Sequence, residues 1–105
     1  MHVAFDEIVP GMQVRVTEDG FVYALDLFAT LNGNNRKRAS QTLARAVVRP
    51  DTAALFELQQ TGRKKPRKLI SFPNAIQLLI ALPKRSARTD TRKQVARILM
   101  ESVCT

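Results

Sequence analysis

The chain has 105 residues, enough for one hydrophobic core but not for two, so we expect a single domain over residues 1–105. Its hydrophobic content of 45% excludes a disordered chain, and no apolar run is long enough to span a bilayer, so no membrane partner is expected. The net charge of +8 favours a polyanionic partner.

The N-terminal quarter of the chain has a β-type pattern. Residues 12–17 alternate apolar and polar side chains, residues 18–20 supply a Glu-Asp-Gly turn, and residues 21–23 resume a β-rich run. We predict that these segments form an N-terminal β-hairpin.

Two helices follow and are predicted to meet at a tight turn. The first runs with helical spacing from Ala24 to the Asn-Gly pair at residues 32–33. Asn34 or Asn35 can cap a second helix over residues 36–48, which a proline ends. This plan is typical of helix-turn-helix proteins, in which the first helix supports a second one that is presented to the major groove.

The second half of the chain is predicted to add a charged β-hairpin and two more helices. Residues 55–59 and 68–72 have strand patterns and flank a loop too basic to be buried, which is typical of a wing. Residues 73–82 begin with a proline and are apolar almost all round, so we expect a buried central helix. Thr89 or Asp90 can cap a last helix. The predicted fold class is α+β: an N-terminal β-hairpin, a helix-turn-helix-like pair, a basic β-hairpin wing and two C-terminal helices.

The positive charge is concentrated in the central and C-terminal parts of the chain. Residues 1–35 hold one base and five acids, residues 36–97 sixteen bases and three acids, and residues 98–105 one acid, giving net charges of −4, +13 and −1. Because so dense a block of charge repels itself, we expect it to serve a nucleic acid. The single cysteine, Cys104, allows neither an internal disulfide nor a cysteine-rich zinc site, so an intracellular, non-secreted protein is expected.

Several segments of the sequence resemble one family of DNA-binding domains. Residues 19–27 resemble the strand-to-helix segment of the KilA-N and BRO N-terminal domains of large DNA viruses and phages, which are related to the fungal APSES domain. Residues 68–72, 75–79 and 94–103 look like the closing strand and the two helices of the BRO type. The resemblance spans nearly the whole chain and implies a DNA-binding domain, often part of a longer protein, that acts in the nucleus or cytoplasm of a host or in a virion.

The predicted second helix and the charged segments around it supply the candidate nucleic-acid-binding residues. A step of 100° per residue places Lys37, Gln41, Ala44, Arg45 and Val48 opposite the apolar stripe of this helix. Arginine can bond guanine, glutamine can pair with adenine, and a small alanine allows close approach, while cations of the wing and of the later basic connector can neutralise phosphates. The candidate residues are Arg36, Lys37, Arg38, Gln41, Arg45, Arg49, Arg63, Lys64, Lys65, Arg67, Lys68, Lys84, Arg85 and Arg88.

Other functions of the same residues stay open at this point. The basic surface would also suit RNA, or a protein-interaction adaptor for an acidic partner, and the loop at residues 63–68 also fits a nuclear-import signal. An enzyme is not expected, because one histidine, one terminal cysteine and scattered acids form no catalytic or metal constellation, and no cofactor is expected. The expected partner is double-stranded DNA, and a homodimer would add base contacts that one small module lacks.

Overall fold

The computed structural model of the chain describes residues 1–59, 67–85 and 87–103 and confirms an α+β fold. None of the helices among these residues is long and apolar enough to cross a membrane. The strands are β1 (His2–Ala4), β2 (Gln13–Arg15), β3 (Phe21–Tyr23), β4 (Phe56–Gln59) and β5 (Arg67–Ser71), and the helices are α1 (Ala24–Leu31), α2 (Arg36–Ala46), α3 (Phe72–Ala81) and α4 (Thr89–Val103).

The strands form two small antiparallel sheets. Strand β1 pairs with β2, and β5 lies between β3 and β4 in a second sheet of three strands. The N-terminal hairpin is therefore built from β1 and β2. The predicted pairing of residues 12–17 with residues 21–23 is limited to an isolated bridge between Val16 and Val22. Beside this bridge the Thr17 N–H donates a hydrogen bond to the Phe21 carbonyl at 2.8 Å.

The difference in strand pairing has a simple physical reason. An alternating pattern specifies which side chains face the core, and Val14 and Val22 are indeed fully buried. It does not specify the partner strand, because backbone hydrogen bonds are available to any neighbour. Here β2 takes β1 as its partner and β3 takes β5.

The helix pair is built as the sequence predicts. Gly33 and Asn34 both have positive φ angles, 64° and 67°, and so reverse the chain within a few residues. The Asn35 side chain caps α2 by accepting a hydrogen bond from the Arg38 N–H at 3.1 Å. Helix α2 ends at Ala46, two residues before the predicted limit, and the Thr52 hydroxyl donates to the Ala46 carbonyl.

The wing strands and the C-terminal helices are present, with one correction to α3. Strands β4 and β5 pair from Phe56 opposite Ile70, and the loop between them, residues 60–66, lies outside the described residues. Helix α3 starts at Phe72 behind a Ser71 cap, one residue before the predicted start, and it is not buried all round, since Ile80 is 79% exposed. Only one face of α3 packs on β5 and α4, because a helix at the surface of so small a domain has no neighbours on its other side.

The hydrophobic core lies between the two sheets and the four helices. Its largest fully buried apolar side chains are Phe5, Phe28, Leu27, Ile70, Leu78, Leu99, Val14, Val22 and Val95. Every helix except α2 contributes at least one of these, and the buried side chains of α2 are Ala39, Leu43 and Ala46. Helix α2 is therefore held by one narrow apolar stripe, and most of its surface faces solvent.

Replacing Phe28 by alanine should destabilise the fold strongly. The ring is fully buried and stacks on Phe56 with centroids 6.3 Å apart. Removing it leaves a cavity, so we expect a loss of about 3–5 kcal/mol in the free energy of unfolding measured with urea. The control Val48→Ala, at a side chain that is 76% exposed, should change stability by less than about 0.5 kcal/mol. Equal losses in the two variants would contradict this core assignment.

Candidate nucleic-acid interface

A buried carboxylate, Asp26, joins α1 to β2 and α2. It is 1% exposed and accepts hydrogen bonds from the Arg15 backbone N–H at 3.0 Å and from the Arg15 side chain, Nε at 2.9 Å and Nη2 at 3.2 Å. The oxygen that accepts from Arg15 Nη2, Oδ1, also accepts from Arg36 Nη1 at 2.7 Å. Because Arg36 is the first residue of α2, this ion cluster fixes where α2 begins relative to the rest of the domain.

The ion cluster changes the pKa values of Asp26 and Arg15. Burial alone would raise the pKa of Asp26, but the hydrogen bonds from Arg15 and Arg36 outweigh it and leave that pKa below its usual value. The hydrogen bond with Asp26 likewise raises the pKa of Arg15. A carboxyl whose pKa is lowered by folding stabilises the fold above the pKa of the unfolded chain, and the stabilisation is lost as the pH falls through the lowered, folded value.

Replacing Asp26 by asparagine should reduce stability and its pH dependence together. The amide keeps an acceptor but loses the charge-assisted hydrogen bonds, so we expect a loss of about 1–3 kcal/mol at pH 7 by urea unfolding. Wild-type stability should decline steeply below the ordinary carboxyl pKa of about 3.9. The variant should decline less between pH 4 and pH 2, since one linked proton is gone. Parallel pH profiles for the two proteins would contradict the assignment.

The predicted outward face of α2 is accessible to solvent. We call it the α2 outer face, and it consists of Lys37, Gln41, Ala44 and Arg45, all of which are exposed, as is Val48 beyond the end of the helix. It lies opposite the buried stripe of Ala39, Leu43 and Ala46. Nothing within the described residues covers it, and a partner can therefore reach the full length of the helix from outside.

On one side of α2 lies a basic cleft of about 460 Å³, which we call the Arg85 cleft. Its α2 wall is formed by Arg38, Gln41, Thr42 and Arg45, and Arg49 lies beyond the end of the helix. The opposite wall is the segment between α3 and α4, with Leu82, Pro83 and Arg85. An adjoining depression at the start of α2 brings Lys84 and Arg88 beside Asn35 and Arg38. The predicted connector cations therefore do meet the second helix.

On the other side of α2 lies a smaller cleft of about 290 Å³, which we call the Tyr23 cleft. Ser40, Leu43 and Ala44 form its α2 wall, and the strands contribute Arg15, Tyr23, Arg67 and Lys68, with Leu25 from α1. Arg67 Nη1 donates to the Tyr23 hydroxyl at 2.6 Å. The guanidinium carbons of Arg15 and Arg67 lie over the Tyr23 ring, 4.5 and 5.4 Å from its centroid. The base of the wing is thereby brought against α2.

The cations among the predicted site residues fall into three groups in the structure. Arg36 and Arg49 are committed to acids, Arg36 to Asp26 and Arg49 to Asp51, the latter through two contacts of 3.0 and 3.2 Å. Arg63, Lys64 and Lys65 lie outside the described residues. Among residues 1–59, 67–85 and 87–103, no ion pair engages the remaining cations, which are Lys37, Arg38, Arg45, Arg67, Lys68, Lys84, Arg85 and Arg88.

Two arginines of α4, Arg92 and Arg97, have contacts within the domain. Arg92 is half-buried and donates to the carbonyls of Leu79 at 3.3 Å and Leu82 at 2.7 Å, and to those of Pro83 and Ala87, so it caps the end of α3. Arg97 pairs with Glu7 at 2.5 Å. These two cations therefore stabilise the domain and do not line the clefts beside α2.

Sequence reasoning missed Asp26, Arg15 and Tyr23. For Asp26 a signal was present, because a charged residue in the otherwise apolar run from Ala24 to Phe28 must be buried with a partner. For Arg15 and Tyr23 there was none. Their roles depend on contacts with residues up to 44 positions away along the chain.

Comparison of the chain with protein-family models, with curated proteins and with solved structures gives no match in any of the three. Residues 1–59, 67–85 and 87–103 also hold no group of three or more histidine, cysteine or acidic side chains that could bind a metal ion.

Proposed function

We propose that this protein binds double-stranded DNA, with the α2 outer face in the major groove and the cations of the two flanking clefts on the phosphate backbone. The observation that supports the proposal is that cations distant in the sequence lie close together around α2. Cations from four separate parts of the chain lie on the two sides of one exposed helix: Arg15 from β2, Arg38 and Arg45 from α2, Arg67 and Lys68 from β5, and Arg85 from the segment before α4.

The dimensions of α2 suit a major groove. The helix has 11 residues, which at about 1.5 Å per residue gives a length of about 16 Å. The major groove of B-form DNA is about 12 Å wide and admits an α-helix with its side chains. With the outer face pointing into the groove, the clefts on either flank of the helix would lie beside the two phosphate backbones that border it.

The side chains of the α2 outer face fit the chemistry of base edges. Arg45 can donate two hydrogen bonds to guanine, and Gln41 can both donate to and accept from adenine. Ala44, at the margin of this face toward the Tyr23 cleft, is small enough to let the helix approach closely. The resemblance of the sequence to KilA-N and BRO N-terminal domains supports duplex DNA as the partner over RNA or an acidic protein.

Removing two cations of the Arg85 cleft should weaken DNA binding and its salt dependence. Each phosphate contact contributes about 0.9 to the slope of log K against log salt concentration, so Arg38→Ala with Arg85→Ala should reduce that slope by about 2. The measurement is fluorescence anisotropy with a labelled duplex of random sequence at several salt concentrations.

The matched control for that variant removes the same charge elsewhere. Lys93→Ala with Arg97→Ala lowers the net charge equally, at side chains that do not line the clefts beside α2. We expect its slope to stay within about 0.5 of the wild-type value. Equal reductions in the two double variants would mean that net charge alone drives binding, and would overturn the proposed site.

Replacing Gln41 or Arg45 by alanine should change sequence preference more than affinity. Each bidentate contact discriminates against the wrong base by about 1–3 kcal/mol, so selection from a random duplex pool should lose preference at one position per variant. Affinity for random duplex should fall less than for the selected site. A uniform loss on all sequences would contradict base reading by this face. A palindromic selected site would indicate that two copies bind together.

Competition among nucleic acids separates the proposed function from its alternatives. Duplex DNA should displace the labelled duplex at lower concentration than duplex RNA or either single strand, because the deep, narrow major groove of RNA does not admit α2. Preferential displacement by RNA would replace the proposal with RNA binding. Failure to bind any nucleic acid near physiological salt would replace it with the adaptor role for an acidic protein.

A further inference from the structure

We propose that the Tyr23 cleft is a binding site for a single phosphate group, held by Arg15, Arg67, Lys68 and the Ser40 hydroxyl. Where that phosphate belongs to the DNA backbone, this inference rests on the proposed function. The terminal phosphate of a free nucleotide has the same chemistry, and the experiment below separates these two sources.

The charge in the cleft is not balanced by the acids around it. Three cations line it, Arg15, Arg67 and Lys68, and no acidic residue does. The nearest carboxylate, Asp26, lies behind Arg15 and divides its single charge between Arg15 and Arg36. Counting Asp26 in full against the three cations still leaves a charge of +2, which favours an anion in the cleft.

Hydrogen-bond donors in the cleft are available for a ligand. Asp26 occupies Nε and Nη2 of Arg15, and the Tyr23 hydroxyl occupies Nη1 of Arg67. In the part of the chain that the structure describes, no hydrogen bond involves Arg15 Nη1, the Nε and Nη2 atoms of Arg67, the Lys68 ammonium or the Ser40 hydroxyl. The Nε and Nη2 atoms of Arg67 form the two-pronged edge with which a guanidinium group binds a phosphate.

Tyr23 holds both guanidinium groups in place before any ligand arrives. The ring lies beneath the guanidinium carbons of Arg15 and Arg67 at 4.5 and 5.4 Å, and its hydroxyl accepts from Arg67. Arginine side chains ordered in this way lose less conformational entropy when they bind. A nucleobase, by contrast, would have to displace a guanidinium group to stack on that ring. The arrangement therefore favours a phosphate over a base.

The size and lining of the cleft also fit a phosphate. A volume of about 290 Å³ holds a phosphate group together with several waters, each of which takes about 30 Å³. Leu25, Leu43 and Ala44 form the apolar part of the lining. Partial exclusion of water by these side chains strengthens each charge-assisted hydrogen bond in the cleft.

The test is a titration of the ¹⁵N-labelled full chain, followed by NMR, with three probes in separate experiments: inorganic phosphate, a 5′-mononucleotide and a duplex of random sequence. We expect saturable shifts of the Tyr23, Ser40, Arg67 and Lys68 signals with each probe. Arg67→Lys keeps the charge but removes the two-pronged donor, so it should raise the apparent Kd about tenfold. Ser40→Glu places a carboxylate beside the cleft and should raise it at least as much.

The matched control is Arg97→Lys, an equivalent change outside both clefts, which should leave the Kd for all three probes unchanged. If the duplex binds and shifts the NMR signals of the α2 outer face but not those of the Tyr23 cleft, the phosphate site is wrong and the proposed function stands. If inorganic phosphate and the mononucleotide bind in the cleft but the duplex does not bind, the phosphate site stands and DNA binding is wrong. Equal effects of Arg67→Lys and Arg97→Lys would overturn the phosphate site.

Discussion

The buried carboxylate of Asp26 is the contact on which the candidate interface depends. Helix α2 packs on the domain through a stripe of three buried apolar side chains, Ala39, Leu43 and Ala46. The hydrogen bond between Asp26 and Arg36 fixes the first residue of α2, and the Asn35 cap and the left-handed turn before it fix its direction. The α2 outer face is presented to solvent because these polar contacts hold the helix from its N-terminal end.

The same ion cluster connects the structural core to the Tyr23 cleft. Arg15 donates to Asp26 on one side and lies over the Tyr23 ring on the other, and that ring in turn contacts Arg67 at the base of the wing. Three arginines, Arg36, Arg15 and Arg67, thus form with the Asp26 carboxylate and the Tyr23 ring a continuous chain of contacts from the start of α2 to β5. The base of the wing at Arg67 is linked to α2 by these contacts, although the two are far apart in the sequence. Loss of Asp26 would therefore alter the cleft as well as the stability of the domain.

Much of the fold could be predicted from the sequence, because local signals specify it. The Asn-Gly turn, the asparagine cap, the helical spacing of α2 and the strand pattern on each side of the basic loop all act within a few residues. The pairing of β1 with β2 could not be predicted in this way, and neither could the exposed side of α3 at Ile80. Both depend on which elements become neighbours, and a local pattern does not contain that information.

Some features of the candidate site could likewise be predicted from local sequence, whereas others depend on tertiary contacts. The exposed face of α2 followed from helix geometry alone, and the basic character of β5 followed from the presence of Arg67 and Lys68 in the sequence. Whether a given arginine is available for a ligand depends on tertiary contacts: Arg49 meets Asp51, Arg92 caps α3, and Arg15 enters the site although it lies in the acidic part of the chain. Charge counted along the sequence indicates a polyanionic partner. Only the folded structure shows which cations are accessible to such a partner.

The central claim is that the cations on the two sides of α2 neutralise phosphates of one DNA duplex, and the salt dependence of wild-type binding to a random duplex tests it most directly. Five such cations line the clefts without a paired acid, namely Arg38, Arg45, Arg67, Lys68 and Arg85. Arg45 is assigned to a base edge, and Arg67 and Lys68 share the one phosphate of the Tyr23 cleft, so with one phosphate each for Arg38 and Arg85 about three phosphates are neutralised. At about 0.9 for each phosphate, log K should fall linearly with log salt concentration with a slope of about −3 or steeper. A slope near zero, or no binding at low salt, would contradict the account.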